Sequence, residues 1–130
     1  MKEHVLVVDD EAQIRELLSL FLTRHGYRVS TTAKSEETMQ LVRQVPVDLV
    51  VLDIGLADED GLNLLVRLKN ENPNQRVIML TGMGFVEDLL QEAYQKGADG
   101  YVSKVLPLEE LLLAIERSMP SGKKQAELSC

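Results

Sequence analysis

Val50-Val51-Leu52-Asp53-Ile54-Gly55 is the end of an apolar run that stops on a carboxylate. Between Val47 and Leu52 only Asp48 is polar. A run that short reads as a strand buried on both faces, as in parallel sheets. Its terminal acid stands where open α/β sheets bind their ligands. Taken alone, Asp53 is best read as a loop acid or helix cap, because Asp is common after strands. Its meaning depends on what other segments bring to the same edge.

Outward from this segment the chain alternates regularly. Val5 to Val8 is a second buried-strand run, ending in Asp9-Asp10-Glu11. Ile14, Leu17, Leu18, Phe21 and Leu22 follow at helical spacing, with the acids placed in the first turn and Gly26 as the stop. Tyr27 to Thr32 reads as a short, more polar edge strand. Ser35 and Thr38 open a helix that Pro46 ends. After the strand Val47 to Asp53 and the loop Ile54 to Asp60, Gly61 leads into a helix carrying Leu64, Leu65 and Leu68. Val77 to Leu80 is the next strand, ending in Thr81-Gly82, and Val86, Leu89, Leu90 and Ala93 mark a helix stopped by Gly97. Gly100 to Ser103 is the last strand, ending at Lys104. Pro107 then begins a helix with Leu108, Leu111, Leu112, Ile115 and Met119 on one stripe. Five strand–helix pairs with short turns predict a doubly wound α/β fold, a parallel sheet with helices on both faces.

Composition narrows the function classes. The 130 residues suffice for one domain with a proper core. The expected division is residues 1–119 as the domain and 120–130 as a tail or the start of a linker. With 14 basic and 21 acidic residues the formal charge is −7, which argues against a direct nucleic-acid surface. There is no signal-like or membrane-spanning run, and the single cysteine, Cys130, excludes an intrachain disulfide and a cysteine metal cluster. A cytoplasmic protein is expected.

Four strands end on a reactive polar group: Asp9 and Asp10, Asp53, Thr81, and Lys104. In a doubly wound sheet these ends share one rim, so the five side chains can converge. Each position alone has a bland reading as a cap or turn residue. As a set they crowd like charges, and crowded carboxylates need a proton or a counter-charge. A hard divalent cation such as Mg²⁺ with the Lys104 ammonium meets that need.

With these residues in view, the span from Val5 to Met119 resembles the receiver domain of bacterial two-component response regulators. The resemblance is carried by Val7-Val8-Asp9-Asp10-Glu11, by Asp53 with Gly61 behind it, by Thr81-Gly82, by Gly97-Ala98, and by Tyr101 to Lys104. It implies a flavodoxin-like five-stranded sheet in the order 2-1-3-4-5. It further implies that Asp53 accepts a phosphoryl group from a sensor histidine kinase or a histidine phosphotransfer protein. Mg²⁺ would be held by Asp10 and the Gly55 carbonyl directly, at Asp53, and by Asp9 mostly through water. Lys104 would pair with Asp53 at rest and with the phosphoryl group afterwards. Thr81 would donate its hydroxyl to a phosphoryl oxygen, with Tyr101 following it inward as the second switch residue. Such a protein is a signalling phosphoacceptor rather than an enzyme, catalysing only its own phosphorylation and slow self-dephosphorylation. Asp chemistry supports these roles, since carboxylates accept phosphoryl groups where nearby positive charge neutralises the transferring oxygens.

The chain departs from the family pattern at two prolines. Ala57 stands four residues after Asp53 and Val105 follows Lys104, both positions where proline is usual. A non-proline cis bond costs about 2.5–4 kcal/mol, so the Lys104–Val105 bond is expected to be trans. The run Lys104 to Leu111 also resembles receivers that precede a LuxR-type helix-turn-helix. Gly55 and Met83 occupy the two positions that tune phosphoryl lifetime in the family, and neither side chain can orient a hydrolytic water. Tyr94 and Leu113 fall off their helical stripes, and with Val105 or Leu106 they suggest a small apolar surface for a homodimer on activation. His4 and His25 sit at element ends and read as surface or capping residues.

Three other readings compete. An unphosphorylated receiver-like interaction module is the main alternative. A flavin or nucleotide carrier needs a Gly- or hydroxyl-rich loop where Asp9-Asp10-Glu11 stands. An Asp-nucleophile phosphohydrolase calls for an acid at position 55, where Gly55 is found.

Overall fold

A computed structural model describes residues 3–82, 86–104 and 107–119. In chain order the elements are β1 (His4–Val8), α1 (Ala12–Arg24), β2 (Arg28–Thr32), α2 (Ser35–Gln44), β3 (Leu49–Asp53), α3 (Gly61–Glu71), β4 (Arg76–Thr81), α4 (Glu87–Gln95), β5 (Gly100–Ser103) and α5 (Leu108–Ser118). All pairings are parallel, and the sheet order is β2-β1-β3-β4-β5. The doubly wound fold and the 2-1-3-4-5 order expected from the sequence are both present.

Strand alternation divides the core in two. Leu6, Val8, Val50, Leu52, Val77 and Met79 point to the face covered by Met39 of α2, Leu64, Leu65 and Leu68 of α3, and Ala93 of α4. Val5, Val7, Leu49, Val51, Ile78 and Leu80 point to the other, against Leu18 and Leu22 of α1 and Leu111 and Ile115 of α5. Because both faces are covered, the central strands are apolar at successive positions. Among the described residues β2 has only one neighbouring strand, and it is partly exposed along its length, which accounts for its polar sequence.

Several local expectations are corrected. The central strand begins at Leu49, not Val47; Asp48 instead accepts the His4 backbone N–H at 2.7 Å. Leu17 is 47% exposed, because the core-facing stripe of α1 runs through Leu18 and Leu22. Asp9 to Glu11 precede α1 rather than forming its first turn. His4 is buried, with Nδ1 2.9 Å from the Pro46 carbonyl and Nε2 2.7 Å from Ser30 Oγ. It pins β1 to β2 and to the α2–β3 connection. His25 does lie at a helix end, with Nδ1 2.9 Å from the Phe21 carbonyl oxygen. Gly26, at φ 93°, closes α1 in a conformation that side-chain-bearing residues avoid. The expectations for Met83, the Lys104–Val105 bond, Leu106 and the 120–130 tail fall outside the described residues.

Candidate functional site

Register brings the rim together. Val8 pairs with Leu52, so the next residues, Asp9 and Asp53, emerge side by side from β1 and β3. Asp53 pairs with Leu80 and Thr81 with Ser103, which sets Thr81 and then Lys104 one step further along the same edge. The strand order reverses between β1 and β3, the crevice where open α/β sheets place ligands.

Asp53 is only 4% exposed. Its Oδ1 accepts the Gly55 backbone N–H at 3.1 Å, and its Oδ2 lies 3.3 Å from Lys104 Nζ. Burial and the neighbouring Asp9 charge raise its carboxyl pKa above the ordinary value, against the opposing pull of the Gly55 N–H and Lys104. Asp9 is fully buried, and its Oδ1 accepts the Glu11 backbone N–H at 2.9 Å. Its Oδ2 pairs with Lys104 Nζ at 2.8 Å. Asp10 is exposed at the rim.

Lys104 therefore touches three carboxylates. The third is Glu11, whose Oε1 accepts from Nζ at 3.0 Å. Burial works against the ammonium, but Asp9, Glu11 and Asp53 more than offset it and hold its pKa above the usual lysine value. The sequence places Glu11 in the acidic Asp9-Asp10-Glu11 run and at the helix dipole, and gives no sign of a contact with Lys104. That lysine lies 93 residues away in the chain, so no local pattern points to the contact.

Asp9, Asp10, Asp53 and Lys104 thus lie together. Thr81 is 1% exposed, and its carbonyl accepts the Lys104 backbone N–H at 2.7 Å, so the two are linked through the main chain. Tyr101 is half-buried against the α2–α3–α4 side of the core, opposite Met79 in register. Gly55 is exposed, and a Cβ there would begin 4.0 Å from Asp53 Oδ1. At Gly82 a Cβ would meet only Lys104 Cδ, at 3.7 Å, so glycine is not sterically required.

Gly61 is the opposite case. A Cβ there would fall 2.2 Å from the Asp53 carbonyl oxygen and 2.7 Å from Ile54 Cα. The Gly61 N–H donates to the Ile54 carbonyl at 2.8 Å, while Asp60 caps α3 by accepting the Leu62 N–H at 2.9 Å. Glycine is needed because the start of α3 is packed against the backbone of the candidate nucleophile.

One ligand atom from each of Asp9, Asp10 and Asp53 can be chosen so that all lie within 4.8 Å of one another. An all-oxygen donor set of three carboxylates, two of them buried, fits a hard divalent cation. Among the described residues, no helix is long and apolar enough to cross a membrane.

Comparison with known proteins agrees with this geometry. Residues 5–116 match the response regulator receiver domain family. The chain is 32% identical over 120 residues to sporulation initiation phosphotransferase F of Bacillus subtilis, covering 92% of this chain and 96% of that protein. It is 36% identical over 116 residues to the TorCAD operon transcriptional regulatory protein TorR of Escherichia coli O157:H7, which matches 89% of this chain. The chain spans only 50% of TorR's length. Among solved structures, a Burkholderia pseudomallei response regulator with a phosphorylated aspartic acid, a calcium ion and citrate superposes with a TM-score of 0.81. That pair shares 28% identity, covering 97% of this chain and 72% of the other. With the acidic rim, the paired lysine and the 2-1-3-4-5 sheet in agreement, this chain belongs to the response regulator receiver domain family.

Proposed function

We propose that the chain is a phosphorylation-operated switch in which Asp53 accepts a phosphoryl group from a sensor histidine kinase or a histidine phosphotransfer protein. The observation that carries this reading is the Asp53 carboxylate itself, buried at the sheet edge and held between Lys104 and a fixed N–H. In the transfer an Asp53 oxygen attacks phosphorus, the donor's N–P bond breaks, and the leaving imidazole keeps the electron pair and takes up a proton. Asp9, Asp10, Asp53 and the Gly55 carbonyl would hold Mg²⁺, which supplies positive charge to the transferring oxygens.

The chain's own groups do the remaining work. Gly55 N–H fixes one carboxylate oxygen and so presents the other. The Lys104 ammonium neutralises charge that develops on the phosphoryl group. Once a dianion stands on Asp53, the Thr81 hydroxyl and Lys104 are drawn towards it, and Tyr101 follows the space vacated by Thr81. The Bacillus subtilis relative is named a phosphotransferase, and the Burkholderia relative carries a phosphorylated aspartic acid; both are in keeping with this chemistry.

The finer readings follow from the same site. Self-dephosphorylation is slow, because Gly55 brings no side chain to orient water beside Asp53. Tyr94 and Leu113, 47% and 48% exposed, offer apolar area for a homodimer on activation, and the beryllofluoride-activated NtrC4 receiver is described as a dimer. The setting is cytoplasmic. Phosphate-affinity gel mobility after treatment with acetyl phosphate and Mg²⁺ tests the reading: the wild-type chain is retarded and Asp53→Asn is not. If neither is retarded, the interaction-module reading takes its place.

A further inference from the structure

The loop of residues 54–60 joins the candidate nucleophile to α3 and carries Gly55. Its ends are tied by backbone bonds, from Ile54 N–H to the Leu80 carbonyl at 3.0 Å and from Gly61 N–H to the Ile54 carbonyl at 2.8 Å. Leu56 is buried in the core. The next residue, Ala57, is exposed and places no ring constraint on φ.

Asp58 then reaches across to another element. Its Oδ2 accepts both the backbone N–H of Ser35, at 3.0 Å, and the Ser35 hydroxyl, at 2.9 Å. Ser35 is the first residue of α2, and the residue before it, Lys34, makes no side-chain cap. The Ser35 N–H is one of the donors that a helix start leaves without an intrahelical partner. A carboxylate there also meets the positive end of the helix dipole. These bonds hold the Asp58 carboxyl below the ordinary carboxylate range, the Ser35 N–H contributing most. A second tie runs beside it, with Arg67 of α3 pairing with Glu59 of the loop and, at 2.9 Å, with Glu36 of α2.

We propose that Asp58 is a positioning residue for the divalent cation: by fastening the middle of the 54–60 loop to the start of α2, it keeps the Gly55 carbonyl where a cation at Asp10 and Asp53 can use it. This rests on the phosphoacceptor reading of the site. Asp58 touches neither the cation nor the phosphoryl group, and it acts by raising the fraction of chains whose loop is ready to bind. Apparent affinity falls in proportion to that fraction.

Isothermal titration with Mg²⁺ and hydrogen exchange of the metal-free protein test the proposal together. Asp58→Ala is expected to raise the Mg²⁺ Kd about three- to tenfold and to speed exchange at Ser35 and across residues 54–60. Asp58→Asn keeps an acceptor for the Ser35 N–H and is expected to stay within about twofold of wild type. Should Asp58→Ala fail to fold, Ser35→Ala removes only the hydroxyl bond and is expected to raise Kd about twofold. Unchanged Kd in Asp58→Ala, or in Ser35→Ala where that variant decides, overturns the proposal. Equal loss in the Asn and Ala variants also overturns it, since charge and not the latch would then set the affinity. A wild-type chain that binds no Mg²⁺ removes the cation reading with it, and the exchange rates still report whether the latch orders the loop.

Discussion

Lys104 Nζ stands 2.8 Å from Asp9 Oδ2 and 3.3 Å from Asp53 Oδ2, so the ammonium is nearer the neighbouring acid than the proposed phosphoacceptor. The lysine is the counter-charge for a cluster of acids rather than the private partner of one. Two of those acids, Asp9 and Asp53, are buried. A cation bound among them would relieve Asp9 of its dependence on Lys104 and leave the ammonium available to a phosphoryl group on Asp53.

Lys104→Met follows from that relationship. It removes the positive charge from two buried carboxylates and should cost about 2–4 kcal/mol at neutral pH. The lysine's raised pKa means its contribution is fully present at neutral pH and fades only in alkali. In the variant, uncompensated carboxylates are the source of the cost, so the deficit should shrink as acid protonates them. Urea unfolding of both proteins at neutral and acidic pH measures this; an equal deficit at both would contradict the charge account.

Asp53→Asn should stabilise the metal-free protein. The raised pKa means that Asp53 binds its proton more tightly folded than unfolded. Its contribution is therefore fully present below the ordinary carboxylate pKa of 3.8 and is lost as pH rises through the folded value. At neutral pH the ionised group is a burden that asparagine lacks. Relief of about 1 kcal/mol would raise Tm by roughly 3–6 °C. Thermal unfolding at neutral pH without Mg²⁺ is the check, with the gain expected to vanish in acid.

Gly61→Ala should be far more damaging than alanine at an ordinary helix start. The new Cβ would fall 2.2 Å from the Asp53 carbonyl oxygen, so β3 or α3 must move. A cost of about 2–4 kcal/mol is expected, with weaker phosphoryl acceptance because the displaced backbone carries the proposed phosphoacceptor. Gly82→Ala, where only an ordinary 3.7 Å contact arises, should be mild by the same unfolding measurement.

Gly55→Asn places an amide beside Asp53 without a clash, its Cβ 4.0 Å from Oδ1. Such a group can orient water toward an aspartyl phosphate, and loss of phosphate should quicken about tenfold. The decay of phosphorylated protein after donor removal gives the rate, and an unchanged rate would sever phosphoryl lifetime from position 55.

Much of the fold, and the rim that the strand ends share, is legible in the sequence. Buried parallel strands must be apolar on both faces, so Val5–Val8, Val47–Leu52 and Val77–Leu80 stand out in the sequence, and the residues that end them mark one rim. Asp9, Asp10, Asp53, Thr81 and Lys104 stand at those ends. What periodicity could not disclose is where side chains cross between elements. Glu11 looked like a helix-dipole acid and turned out to hold Lys104. Ser35 looked like its own helix's cap, whereas Asp58, 23 residues on, supplies the acceptor. His4 looked like a surface residue and is a buried tie between strands. Leu17 shared the spacing of core residues, yet the stripe of α1 is too narrow to include it. Gly61 read as a helix start, and only the packing shows that a methyl group has no room there.

Asp53, the proposed phosphoryl acceptor, can be identified chemically. Borohydride reduces an acyl phosphate to an alcohol, so treating the chain with acetyl phosphate and Mg²⁺, then borohydride, then protease marks the acceptor for peptide mass analysis. The expected result is conversion of Asp53 to homoserine, dependent on both acetyl phosphate and Mg²⁺, with Asp9 and Asp10 unchanged. No conversion at Asp53, or conversion at Asp9 or Asp10 in its place, would contradict the account.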